Sequence, residues 1–160
     1  MSVLFRMCKR EDLRQVISMI KELADYEKMS DQMVGRAEDL EKSIFINKEC
    51  EVLLATLDDE IIGYSLFFNS YSTFLCKAGM YVEDFYIKKE HRKQGYGLAM
   101  FKTLARISKA RDYQRMDWAC LKWNDSALEF YLNNLKAKKQ DEWFGLRLNH
   151  DEIEELAKID

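Results

Sequence analysis

Residues 83–107 read EDFYIKKEHRKQGYGLAMFKTLARI. The β-rich run from Met80 to Lys88 gives way to a dense basic turn. Gly95 and Gly97 follow, and then Leu98, Phe101, Leu104, Ala105 and Ser108 recur at helical spacing. The pattern predicts strand, turn and helix, with the helix over Gly97–Ala110. The first amides of a helix lack intrahelical partners, and the helix dipole places partial positive charge there. Glycine lets such a backbone approach an anion closely, and Arg92 and Lys93 add charge suited to a pyrophosphate. The same residues also suit a solvated basic turn, and local chemistry leaves both readings open. The G-x-x-x-x-G-K-[ST] pattern of a nucleotide P-loop is absent, as is the third glycine of a dinucleotide fingerprint.

Upstream, Val3–Met7 reads as a short strand. Leu13, Val16, Ile17, Ile20, Leu23 and Ala24 mark an amphipathic helix between Arg10 and Glu27. A weaker helix covers Ala37–Phe45. Two strands, Glu51–Leu57 and Ile61–Asn69, flank a turn at Asp58-Asp59-Glu60, and Tyr71–Ala78 reads as a loop. Downstream, Met116–Leu121 is strand-like, and Asn124-Asp125-Ser126 supplies capping chemistry before a helix over Ala127–Asn134. A final strand, Trp143–Leu148, precedes a charged tail that forms one short helix. The order, with no linker to divide the chain, predicts a single α+β domain over residues 1–160.

At 160 residues with 48% apolar and 33% charged side chains, the chain has the composition of one ordinary globular domain. A net charge of −3 gives no global field for nucleic acid, so any attraction for an anion must be local. No apolar run reaches the length of a membrane span. Cys8, Cys50, Cys76 and Cys120 are widely spaced, which suits reduced thiols in a cytoplasmic protein better than a zinc site. With His91 and His150 the only histidines, no metal is expected.

Arg92-Lys93-Gln94-Gly95-Tyr96-Gly97 resembles the R-x-x-G-x-G signature of the GNAT superfamily of N-acetyltransferases. Strand before, helix after and the element order strengthen the resemblance. It narrows toward the diamine (spermidine/spermine) acetyltransferases and their thialysine-type relatives. Ile20–Ala24 with Tyr26-Glu27, Tyr81–Phe85, and Trp123-Asn124 with Phe130-Tyr131 resemble that subgroup's helices and central strand. The resemblance implies the GNAT fold, a mixed central sheet flanked by helices, and acetyl-CoA as co-substrate. Its pyrophosphate would be gripped by Arg92, Lys93, Gln94, Gly95, Tyr96, Gly97 and Leu98. Phe85, Tyr86 and Ile87 would contact it through their main chain, and Asn124 and Ser126 would lie near it. Homodimers are common among such relatives, and one is expected here, with no nucleic-acid or membrane partner.

Acetyl transfer from a thioester to an amine needs a neutral amine, a stabilised oxyanion and a proton for the departing thiolate. Composition alone makes Tyr131 a core tyrosine; the resemblance makes it the general acid. Glu83 is implied as a base acting through water, and Asp84, Tyr26, Glu27 and Asp141 as contacts for a cationic small-molecule amine. Adjacent strand residues point to opposite faces, so Glu83 and Asp84 reach one cleft only across a bulge. The chain departs from the family pattern in two places. Leu135 stands where a glycine is usual after the tyrosine, and Ser72 and Thr73 replace an acidic residue, which favours a shorter amine or an amino acid side chain. A protein-lysine acetyltransferase and a non-catalytic acetyl-CoA-binding module are the competing readings.

Overall fold

A computed structural model describes residues 2–159. Five strands run in chain order: β1 (Leu4–Met7), β2 (Glu51–Leu57), β3 (Glu60–Ser72), β4 (Lys77–Ile87) and β5 (Met116–Trp118). The first four pair antiparallel and β5 joins β4 in parallel, giving a mixed sheet with β5 at one edge. Asp58 (φ 47°) and Asp59 (φ 67°) both adopt left-handed backbone between the partners Leu57 and Glu60. That is the twist a two-residue hairpin requires. The expected loop after Tyr71 is shorter, because strand pairing continues to Ser72 opposite Lys77.

Side-chain alternation sends each strand's apolar residues to two cores. On one face, Leu13, Val16 and Met19 of α1 (Leu13–Tyr26) pack on Val52, Leu54, Tyr64 and Tyr86. Helix α2 (Ala37–Glu41), widened into a π-type turn at Lys42–Ile46, adds Ile44 there. On the other face, Met100, Phe101 and Leu104 of α3 (Tyr96–Ala110) pack on Leu53, Ile62, Phe67, Met80, Val82 and Ile87. The cores sandwich the sheet, so the β4–α3 junction is held from both sides.

After β5, α4 (Asp125–Glu129) continues as a π-type turn through Asn134, and Asn124 caps it by accepting the Ala127 amide at 3.3 Å. The short C-terminal helix is α5 (His150–Leu156). The expected strand Trp143–Leu148 does not form: the segment is irregular, and Trp143, Phe144 and Leu146 are 73%, 90% and 93% exposed. Alternating apolar residues become a strand only when paired with another strand, and this segment pairs with none among the described residues. Strand β5 likewise stops at Trp118 rather than Leu121, because it pairs only with Met80–Val82. No helix among the described residues is long and apolar enough to cross a membrane.

Candidate active site

The stop in β5 opens the site. Beyond Val82 the parallel pair splays, leaving a cavity of about 450 Å³. Phe85, Tyr86 and Ile87 line one wall, and Ala119, Cys120 and Leu121 line the other. Sequence reading did not find the second wall, because small and apolar residues past a strand end carry no local chemical signal.

The splay coincides with a bulge in β4. Leu66 pairs with Asp84 but Phe67 pairs with Val82, so Glu83 is the extra residue. Val82 and Phe85 both pack in the α3-side core, so Glu83 and Asp84 between them share the opposite face. Asp84 accepts a 2.9 Å hydrogen bond from the Tyr64 hydroxyl, while Glu83 is exposed. Neither lines the cavity, whose only carboxylate among the described residues is Glu27 at the end of α1. Asp141 lies on the exposed stretch after α4 and does not line the cavity, because no strand returns it to the cleft. Ser72 and Thr73, at the distant β3–β4 turn, are also outside it.

At the cavity's basic end, Arg92 donates from Nε to the Ile87 carbonyl at 2.8 Å. Its guanidinium lies 4.9 Å from the Tyr26 ring centroid and 5.3 Å from that of Tyr86, a cation–π arrangement that fixes it at the strand end. Gly95 caps α3 at φ 84°, a left-handed backbone that glycine adopts without strain, and Gly97 lies against the Phe85 ring. Lys93, Gly95, Gly97, Leu98, Asn124 and Ser126 all line the cavity. Gln94 and Tyr96 do not: the Gln94 amide donates to the Glu90 carbonyl, and Tyr96 packs against the α3-side core. A basic helix N-terminus opening into a slot beside an unpaired strand edge fits the pyrophosphate and pantetheine of a coenzyme A thioester.

At the other end, Tyr131 is held by edge-on contacts to Phe101 (5.8 Å between centroids) and Trp118 (5.4 Å). Burial, with Cys120, Glu27 and Tyr26 adding to it, pushes its hydroxyl above the usual tyrosine range. It therefore stays protonated at neutral pH. Burial and then Asp84 raise Glu27, while burial raises Asp84 against the opposing Tyr64 hydrogen bond. Burial and Glu27 also raise the Cys120 thiol, which keeps this cavity cysteine protonated and poorly nucleophilic. The Tyr26 hydroxyl donates to Asn124 Oδ1 at 3.3 Å and ties the end of α1 to the cap of α4.

Comparison with known proteins gives the family and the fold. The model of the acetyltransferase (GNAT) family matches residues 16–135. The thialysine N-epsilon-acetyltransferase of Caenorhabditis elegans is 34% identical over 145 residues, covering 89% of each chain. The protein of that name from Sus scrofa is 32% identical over 167 residues, covering 98% of each. Among solved structures, an integron cassette protein from the mobile metagenome of V. cholerae superposes with a TM-score of 0.81 at 23% identity over 99% of each chain, which shows the shared fold. With the family model, these relatives and the fold in agreement, the chain belongs to the GNAT family and is an N-acetyltransferase that uses acetyl-CoA.

Proposed function

We propose that the protein transfers acetyl directly from acetyl-CoA to the primary amine of a lysine-like amino acid or a small diamine or polyamine. One observation carries the substrate class. Glu27 in the cavity and Glu83 and Asp84 on the adjoining bulge have no basic partner within ion-pair distance among the described residues. Uncompensated carboxylates at the mouth of a reaction slot attract an ammonium group. Similarity to proteins named for thialysine, itself a lysine analogue, supports an amino acid with a terminal amine.

In this reading the bound co-substrate supplies an acetyl thioester. Arg92, Lys93 and the N-terminal amides of α3 hold its pyrophosphate, and the open edge of Phe85–Ile87 holds its pantetheine. The slot orients the amine between the carboxylates and Tyr131. Glu83, exposed on the bulge, takes the ammonium proton through water, and Tyr131 donates its proton to the departing sulfur. The protonated state of Cys120 supports direct transfer over an acyl-cysteine route.

The test is free-thiol release from acetyl-CoA with lysine, thialysine, diamines, polyamines and a lysine-containing peptide. Release with the free amino acids or diamines is the expected result. A response to the peptide alone would instead favour a protein-lysine acetyltransferase. Tight acetyl-CoA binding with no release would favour a binding module.

The proposal includes a homodimer. Trp143, Phe144, Leu146 and Leu148 stand exposed on the C-terminal arm, and β5 presents an unpaired sheet edge. A second copy offers both a strand for that edge and cover for those side chains. Deleting the residues after Gln140 is expected to convert a dimer to a monomer in sedimentation analysis. An unchanged sedimentation coefficient per mass would remove the arm from the interface.

A further inference from the structure

A primary ammonium loses two protons on becoming an amide nitrogen, and the proposed function accounts for only the first. One proton leaves before the nitrogen can attack. The second leaves as the N–C bond forms and the C–S bond breaks, and the departing sulfur gains one. We infer that Glu27 is a second catalytic carboxylate, accepting that second proton from the reacting nitrogen and returning it to Tyr131. The inference rests on the acetyltransferase reading of the site.

The geometry separates the three acidic candidates. Glu83 is exposed on the bulge, open to water and outside the cavity, which suits release of the first proton to solvent. Asp84 is held by Tyr64 and also lies outside the cavity. Glu27 alone lines the space that Tyr131 and Cys120 line. It caps the C-terminus of α1, its amide donating to the Leu23 carbonyl at 2.9 Å. A helix C-terminus carries partial negative charge, which disfavours a carboxylate there and favours a carboxyl. The same helix end is anchored across the cavity by the Tyr26–Asn124 hydrogen bond, so the Glu27 backbone is fixed relative to α4.

The groups facing Glu27 point the same way. Asp84 of β4 and Tyr64 of β3 lie on the sheet side, with Cys120 after β5 and Tyr131 on the α4 side. Tyr26 precedes it on α1 with Arg92 stacked on its far ring, and Lys28 follows, directed over the Trp123 ring at 5.1 Å. Burial and the Asp84 charge make Glu27 a stronger proton acceptor than an ordinary glutamate. Glu27 and Tyr131 line the same cavity, which is the space a returning proton would cross.

The step balances without an oxidant or a further reactant. Nitrogen gains the acyl carbon and gives a proton to Glu27, while sulfur loses that carbon and takes a proton from Tyr131. Transfer from the Glu27 carboxyl to the Tyr131 oxygen resets both groups. Over the whole reaction one proton reaches solvent and one ends on sulfur.

The test is Glu27→Gln, which keeps the side chain's shape and removes its basicity. A fall in kcat of about 10²–10⁴-fold is expected, the range of general acid–base catalysis. Amine affinity, measured by calorimetry on the unloaded enzyme, is expected to fall by no more than about tenfold, because Glu83 and Asp84 remain to attract the ammonium. The acid limb of the kcat–pH profile, set by Glu27 above the ordinary glutamate range, is expected to vanish. A kcat within about threefold of wild type with a raised amine KM would overturn the proposal and leave Glu27 a cation anchor. Should Glu27→Gln fail to fold, Glu27→Asp carries the test. The shorter acid is expected to keep the acid limb with a lowered kcat, and unchanged kcat with raised amine KM overturns the proposal. Wild-type enzyme that releases no thiol with any amine would instead refute the acetyltransfer reading, so the two failures are distinct.

Discussion

Tyr131→Phe is expected to lower kcat by about 10²–10⁴-fold, with the dissociation constant for acetyl-CoA changed by less than about tenfold. The substitution removes one oxygen and keeps the ring, so the contacts to Phe101, Trp118 and Phe130 survive. No protein group among the described residues hydrogen-bonds the hydroxyl, so its loss leaves no orphaned donor or acceptor behind. What disappears is a proton held above the usual tyrosine range by burial, Cys120, Glu27 and Tyr26. In the proposed mode of binding, the coenzyme is held instead by Arg92, Lys93 and the start of α3, none of which the substitution alters. Single-turnover kinetics and calorimetry separate the two effects. Near-wild-type turnover, with chemistry shown to limit the rate, would exclude Tyr131 as the acid.

Gly63→Val is expected to cost about 3 kcal/mol of stability, the upper end of the usual overpacking range. For a domain of this size that lowers the melting temperature by about 6–12 °C. A Cβ at Gly63 would sit 2.6 Å from the Tyr86 carbonyl oxygen and 2.6 Å from Ile87 Cδ1. The carbonyl belongs to a backbone locked in the β3–β4 ladder, where Gly63 pairs with Ile87 and the Lys88 amide donates to the Ile62 carbonyl at 2.9 Å. The wedge therefore opens the sheet where Tyr86 and Ile87 form the cavity wall, and acetyl-CoA affinity should fall along with stability. Gly35, where a Cβ would meet nothing within 4 Å, is the control: Gly35→Val should melt close to wild type. Equal melting temperatures for the two variants would show that β3 and β4 can part locally at little cost.

Local features of the chain were legible because local forces decide them. The helical period from Leu98 to Ser108 and the glycines before it foretold a basic turn feeding α3. Asn124 was legible as a cap because its side chain reaches an amide only three residues away. The Asp58-Asp59 turn was legible because few residue pairs accept two left-handed positions in succession. Trp143–Leu148 misled for the complementary reason. Its alternation satisfies the local rule for a strand, but a strand also needs a pairing partner, and it pairs with none among the described residues.

By itself, then, the sequence determined the order of helices and strands as far as α4 and the basic turn, since periodicity, capping and motif chemistry act over a few residues, while Tyr131 stood out only through the family resemblance. Only the tertiary structure decided which acids meet the reaction slot. A one-residue register shift opposite Leu66 and Phe67 turns Glu83 and Asp84 to one face. The splay beyond Val82 then admits Glu27 from a helix fifty-six residues earlier than Glu83 while leaving both bulge carboxylates outside. Such pairings arise from contacts between distant segments, whose free energy is set by the whole packed sheet and appears in no local stretch of sequence.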